Sequence, residues 1–260
     1  MCGTSSACIG RFCIMQRNDP YEKFAYDYDE FGPIDAYLGD ERTFFERLFA
    51  KHGVKTVLDC ACGTGQHLLL FSEMGLDVRG SDYSEAMLEV ARRNLDKYET
   101  SVPLCQCDFR FLEQEHSETF DAVVCLTTAL PHLHTDADLV TALASMKGRL
   151  NPGGLLVLTQ GTTHVSLAGP AIEVIVNRTD FSRVFVKERD GDFLTIHVLD
   201  LFHSLGRTES NQYDIIYRIL LDEDYKSLLA KAGFEKIQIL GDYDDSVYTQ
   251  QSRRLIVVAS

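Results

Sequence analysis

No stretch of this 260-residue chain approaches the roughly twenty consecutive apolar residues that a membrane-spanning helix needs, so no membrane partner is expected. The opening "MCGTSSACIGRFCIMQRNDP" lacks a signal peptide's long apolar stretch and reads as a disordered leader over 1–19. Met15 suits a start as well as Met1, because the organised pattern begins just after it. Positive charge is scarce too: 25 basic against 39 acidic residues give a formal net charge of −14. Such a field repels phosphate backbones and argues against nucleic acid as the primary partner. The nearest basic groupings, Arg92-Arg93 and Arg253-Arg254, are only pairs. Eight cysteines in a chain of this length do not suggest a secreted disulfide framework. Three lie in the leader, and Cys60 and Cys125 sit at the ends of apolar runs, where cysteine acts as a small hydrophobe. The compartment reads as reducing and cytoplasmic. There is no internal repeat and no low-complexity segment, and no feature points to an oligomeric state.

What is present is a regular alternation. The aromatic stretch 20–52 reads as helical. From residue 55 onward short apolar runs, "KTVLDC", "LDVRGSD", "VPLCQCD", "FDAVVCL" and "LLVLTQ", read as buried strands by length and β-branched content. Between them lie helical patterns, including "SEAMLEVARRNLDKY" with Ser84 as N-cap and "DADLVTALASMKGRL", expected to stop at "NPGG". "DEDYKSLLAKAGF" adds a helix near the end, followed by strands in "EKIQILG" and "RRLIVVA". The β-α-β-α order predicts a doubly wound, mostly parallel α/β sheet with helices on both faces. At 161 the pattern changes. "DFSRVFVKERDGDFLTIHVLDLFHS" alternates on both sides of Asp190-Gly191, a hairpin signal, and "QYDIIYRIL" adds a third extended run. The expected organisation is a helical N-terminal lid segment over 20–52, a core domain over 53–160 and 221–260, and an antiparallel β lid inserted at 161–220.

The chemistry gathers in "VLDCACGTGQH" at 57–67. The loop follows a strand and opens a helix, so backbone N–H groups and a positive helix end face the carboxyl edge of the sheet. A dinucleotide fingerprint would need a third glycine where Leu68 stands. No Gly-Lys-Ser/Thr follows, so this is not a triphosphate loop. Asp59 would repel a pyrophosphate but suits an ammonium group. Asp82 ends the second strand, where it can accept hydrogen bonds from ribose hydroxyls. Asp108-Phe109 ends the third, offering an acceptor and an aromatic face to adenine. Amine, ribose and adenine without phosphate describe S-adenosylmethionine. The competing reading, a metal held by Cys60 and Cys62, is weaker, because zinc would need two more ligands converging on them. No metal is expected, and His67 reads as a helix-surface residue.

On these residues the chain resembles the class I S-adenosylmethionine-dependent methyltransferases over roughly 20–260, and most of all their glycine/sarcosine and sugar-amine N-methyltransferase group. The stretches that carry the likeness are "KHGVKTVLDCACGTG", "GSDYSEAML", "FDAVVCLTTALPHL", "LNPGGLLVL" and "AGFEKIQILGDYDD". The resemblance implies a seven-stranded Rossmann-like sheet with a β-rich lid after its fifth strand. It also implies that Ala61, Gly63 and Gly65 line the methionine moiety and that Asp82, followed by Tyr83, holds the ribose. Asp108 and Phe109 would hold adenine, and Leu126 would offer its backbone near the amino end of the cofactor. His132 falls where this group has a histidine beside the cofactor. Three positions depart from the glycine-methylating pattern: Thr128 replaces an asparagine, Gly161 an arginine that pairs with the substrate carboxylate, and Tyr37 an N-terminal arginine. Without that fork for a carboxylate, glycine is a doubtful acceptor; Arg178, Arg183 or Arg218 would have to supply another cation.

The implied reaction is in-line methyl transfer to a small molecule, an amine by preference, in which the protein aligns and desolvates the partners. His132, Tyr28 and Tyr217 are the candidates for taking a proton from a charged amine. Thr128 and Arg218 are the candidates for contacting the acceptor. Two alternatives stay open: a methyltransferase acting on protein or RNA, and a non-catalytic cofactor-binding protein.

Overall fold

The structure, a computed structural model, describes residue 19 and residues 21–32, 39–204 and 206–260. The expected leader, Asp19 apart, and Tyr37 lie outside the described residues. The chain begins with α1 (Tyr21–Tyr28), a 3-10 turn at Asp29–Phe31 and α2 (Gly39–His52). The alternating region follows as β1 (Thr56–Asp59), α3 (Gln66–Glu73), β2 (Asp77–Asp82), α4 (Glu85–Lys97), β3 (Leu104–Gln106), β4 (Phe120–Cys125), α5 (Asp136–Gly148) and β5 (Leu150–Gln160). A short α6 (His164–Ala168) leads into β6 (Ile172–Asn177), β7 (Phe181–Asp190), β8 (Phe193–Ser204) and β9 (Arg207–Arg218). The chain closes with α7 (Asp222–Lys231), β10 (Ile237–Leu240) and β11 (Leu255–Ala259).

The first sheet has seven strands in the order β10-β11-β5-β4-β1-β2-β3, and β11 alone runs against its neighbours. The inner strands β1, β4 and β11 and the second half of β5 are buried on both faces, as a sheet covered by helices requires. Neighbouring side chains therefore enter different cores. Leu58, Val123, Leu156 and Val257 join one apolar cluster, and Val57, Val124, Val157 and Ile256 join the other. Chain order reverses between β1 and β4, which opens a crevice at their carboxyl ends, the usual place for a ligand in such sheets. Among the described residues no helix is long and apolar enough to cross a membrane.

The expected helix N-cap is present: Ser84 Oγ accepts the Met87 N–H at 3.3 Å. Two local expectations are corrected. "NPGG" does not separate a helix from a strand. It lies inside β5, where Gly153 at φ +81° accompanies a register shift against β4. The inserted sheet has four strands rather than three, in the order β6-β7-β8-β9. The additional strand β6 carries β-branched residues but exposes Ile172 and Val174, so it lacks the buried alternation that β8 shows.

The inserted sheet does not stand alone. Phe24 of α1 is buried among Leu194, Ile196, Val198 and Ile215, with Tyr21, Tyr28 and Phe31 packed around them. At only eight residues, α1 is too short to persist in water by itself. Its helicity comes from this docking.

Candidate active site

The loop that leaves β1 is shaped by two glycines at φ +53° (Gly63) and +93° (Gly65). Side-chain-bearing residues pay about 1–2 kcal/mol in such a conformation. A Cβ on Gly65 would also stand 3.4 Å from Ala91 Cβ on α4, so this glycine lets α4 close against the loop. Asp82 ties the loop to β2: its carboxylate accepts the Gly63 N–H at 2.8 Å and the Ser84 N–H at 2.9 Å. Ala61, between Cys60 and Cys62, is half-buried. The N-terminal segment reaches the same loop. Asp29 accepts from Thr64 Oγ1 and from Asn94 Nδ2, each at 2.7 Å.

Asp59 ends β1 at 1% exposure and accepts the Ala61 N–H at 3.2 Å. Burial pushes its pKa up to about 6; the nearby His67 pulls it down and the charge of Asp82 adds to the rise. Burial also pushes Asp82 up to about 6, against the backbone N–H groups of Ser84 and Gly63. Two carboxylates held where their charged form is disfavoured make a site that a cation would relieve. His67 is not on the helix surface as expected. It is buried against Glu41 of α2, with Nε2 to Oε1 at 3.3 Å. Burial lowers the tendency of its imidazole to charge, but the Glu41 contact outweighs this and raises its pKa.

On the other side of β2, the Tyr83 carbonyl accepts from Gln106 Nε2 at 2.9 Å. Asp108 precedes a 3-10 turn at Phe109–Gln114 and is forked by Arg110, with Nε at 3.0 Å from both carboxylate oxygens and Nη2 at 2.5 Å from Oδ2. Arg110 also donates to Asp138 of α5 at 2.8 Å. It therefore fixes the Asp108 carboxylate, a role the sequence reading passed over. Phe109 packs half-buried on the core, and Leu126, just past β4, is buried. Cys105 Sγ lies 3.5 Å from His116 Nε2, while Cys60 and Cys107 are buried. Among the described residues no three His, Cys, Asp or Glu side chains gather as a metal site would need.

The three proton-handling candidates come together around a fourth residue. His132 ends the 3-10 turn Leu130–His132, and its Nε2 lies 2.9 Å from the Tyr21 hydroxyl. Its ring centroid is 4.8 Å from that of Tyr217 on β9 and 5.4 Å from that of Tyr21. Tyr28 packs edge-on to Tyr21 at 6.2 Å. Burial drives the His132 pKa down to about 4, with His134 adding to the effect, so the imidazole is neutral at physiological pH. Burial raises the Tyr21, Tyr28 and Tyr217 hydroxyls, so none becomes a phenolate there. Tyr21 was missed, although Tyr21, Phe24 and Tyr28 follow the i, i+3, i+7 spacing of one helix face.

Past β4 the backbone is strained. Thr127 and Thr128 have φ +58° and +69°, a region that β-branched residues rarely occupy. Thr159 of β5 holds them: its Oγ1 accepts the Thr127 N–H and its carbonyl the Thr128 N–H, both at 2.9 Å. Thr128 Oγ1 in turn accepts the Gly161 N–H at 3.2 Å. None of the three arginines named as substitute cations is unpaired. Arg178 pairs with Glu30 and Asp180, Arg183 with Asp200, and Arg218 with Asp136 at 2.7 Å. Strand alternation turns Arg218 away from the face of β9 that carries Tyr217, so it does not join the aromatic cluster.

A family profile described as a methyltransferase domain matches residues 57–154. The glycine/sarcosine N-methyltransferase of Parasynechococcus marenigrum is 37% identical over 239 residues, covering 85% of this chain and 78% of that protein. The chain belongs to the class I S-adenosylmethionine-dependent methyltransferases. Within them it falls in the glycine/sarcosine and sugar N-methyltransferase group. A sugar N-methyltransferase from Streptoalloteichus superposes with a TM-score of 0.72 at 26% identity, covering 100% of this chain and 98% of that one. An amino pentose methyltransferase from Micromonospora echinaspora, solved with the cofactor bound, gives 0.72 at 26% identity over 91% and 95% of the two chains. This methyltransferase therefore uses S-adenosylmethionine. The residues present fit it: the buried Asp59 carboxylate, short of compensating charge, suits the ammonium of the cofactor, and the glycine loop presents backbone rather than side chains.

Proposed function

We propose that this methyltransferase methylates the nitrogen of a small amine that carries no carboxylate, such as an aminosugar. One observation carries this reading. Thr128, Gly161 and the Tyr21–Tyr28–His132–Tyr217 cluster offer uncharged hydrogen-bonding groups, while Arg178, Arg183 and Arg218 are each committed to an acid of the protein. The two structural relatives described above are named as acting on sugar amines, which fits an acceptor of this kind.

S-adenosylmethionine supplies a methyl group activated on a sulfonium, open to in-line displacement by the acceptor's lone pair. Asp59, Ala61, Gly63 and Gly65 would hold its amino-acid end, Asp82 and Tyr83 its ribose, Asp108 and Phe109 its adenine, and Leu126 would contribute backbone. The role of the protein is to present the amine neutral and aligned. A desolvated pocket favours a neutral amine over an ammonium. His132, with a pKa of about 4, is too weak a base to take a proton from an alkylammonium. Its part is to hold the Tyr21 hydroxyl, which with those of Tyr28 and Tyr217 would accept hydrogen bonds from the amine N–H groups and so aim the lone pair. Alignment of this kind is worth several kcal/mol and up to about 7–11 in favourable cases.

The test is a transfer screen with methyl-labelled cofactor against aminosugars, simple amines, glycine and sarcosine. Labelling of aminosugars or simple amines above glycine and sarcosine is expected. Glycine as the best acceptor would overturn the reading drawn from Gly161. Gly161→Arg should raise turnover of glycine, because position 161 has open space for a side chain.

A further inference from the structure

The aromatic cluster depends on where α1 sits, and one buried side chain grips the C-terminal end of that helix. Arg183 of β7 is fully buried, as is Asp200, its direct cross-strand partner on β8. Asp200 takes the guanidinium edge-on, with Nε to Oδ1 at 2.7 Å and Nη2 to Oδ2 at 2.6 Å. The opposite edge leaves the inserted sheet. Nη2 donates to the Asp27 carbonyl at 2.6 Å and Nη1 to the Tyr28 carbonyl at 3.2 Å. These are carbonyls of the last turn of α1, where it tightens into the 3-10 turn at Asp29–Phe31. A cation at that end also complements the helix dipole. The rings of Phe24 and Phe31 lie 4.9 and 4.3 Å from the guanidinium carbon and close the site from water.

A buried ion pair of this kind adds little net stability over apolar packing, but it fixes geometry, because a planar fork accepts partners in only one arrangement. We propose that Arg183 is a positioning residue for methyl transfer: by gripping the C-terminal carbonyls of α1 from the inserted sheet, it holds Tyr21 and Tyr28 in register with His132 and Tyr217. This rests on the reading of that cluster as the acceptor-aligning group. A second tie, from Tyr213 and Asn211 of β9 to the Asp27 carboxylate, holds the outer side of the helix. It can keep α1 attached without setting its depth. Lysine cannot replace Arg183, since one ammonium cannot serve Asp200 and two diverging carbonyls together.

The experiment is a kinetic cycle on the full chain with the best acceptor from the screen. Arg183→Lys is expected to lower kcat at least about tenfold and to do so by less than about threefold in a Tyr21→Phe/Tyr28→Phe background, because the residue acts through those tyrosines. Equal losses in both backgrounds would show a merely structural role and overturn the proposal. A Tyr21→Phe/Tyr28→Phe enzyme as fast as wild type would instead overturn the reading of the cluster, and the positioning role with it. Should Arg183→Lys fail to fold, the charge-free pair Arg183→Met/Asp200→Leu goes through the same cycle, with amide hydrogen exchange as a second readout. Faster exchange across Phe24–Tyr28 with β7 and β8 still protected is expected. Unchanged protection of α1 would overturn the proposal.

Discussion

Replacing Asp59 by asparagine should strengthen the empty enzyme and weaken its hold on the cofactor. The carboxylate is 1% exposed and its pKa is pushed from 3.8 to about 6. At about 1.4 kcal/mol per pH unit, keeping it ionised at pH 8 costs the folded state about 3 kcal/mol. The folded state holds this proton more tightly than the unfolded chain does. Its contribution to stability is therefore whole below the unfolded pKa of about 4 and is lost as pH rises through about 6. Asparagine removes the charge and can still accept the Ala61 N–H, but it buries an amide N–H₂ group at a cost of about 1–3 kcal/mol. The net gain at pH 8 is about 1 kcal/mol, or roughly 2–4 °C in Tm for a chain of this size. Loss of the charge-assisted bond to the cofactor's ammonium, about 1.5–3 kcal/mol, should weaken binding about 10- to 100-fold. Thermal melts of the cofactor-free proteins at pH 4 and pH 8, with calorimetric titration of S-adenosylmethionine at pH 8, give both numbers. The Tm advantage should disappear at pH 4. A variant that melts below wild type at pH 8, or binds the cofactor as tightly, would refute the reasoning.

Other outcomes follow from the same geometry. Gly65→Val adds strain at φ +93° and crowds Ala91; it should cost at least about 1–2 kcal/mol and abolish cofactor binding by calorimetry. Thr128→Asn places a residue tolerant of the left-handed region at φ +69° and should raise denaturant-measured stability by about 0.5–1 kcal/mol. The His132 pKa is lowered from 6.5 to about 4, so its stabilising contribution is present above pH 6.5 and is lost as pH falls toward 4. His132→Gln should therefore flatten the acid limb of stability between those values and also lower kcat, both measured against wild type across pH.

The fold was legible where its causes are local. Val57 beside Leu58 and Val123 beside Val124 read as strands buried on both faces, and they are. Asp59, Gly63, Gly65 and Asp82 were legible for the same reason, since one strand–loop–helix and the end of the next strand carry them. What escaped depends on distant segments meeting. His67 was assigned to a helix surface because nothing near it in sequence announces that Glu41 and α2 will cover it. Tyr21 gains its meaning from His132, 111 residues away, and Arg183 from carbonyls 155 and 156 residues away. Local periodicity carries no record of such encounters. β6 escaped for the opposite reason: it is an edge strand with outward-facing apolar side chains, so its pattern shows no buried period.

Gln160, the last residue of β5, is buried, and its Nε2 donates to the carbonyls of Thr162 and Leu220 at 2.6 and 2.7 Å while its Oε1 accepts from Tyr225. One amide thus joins the two points where the chain leaves the parallel sheet and returns to it. Because those points are tied together, the length of chain between them makes little difference to the sheet, and lengthening a tethered loop costs only about 0.6 kcal/mol per doubling. The inserted sheet is in this sense a cartridge on a fixed socket, entering and leaving the parallel sheet at a single fastened place.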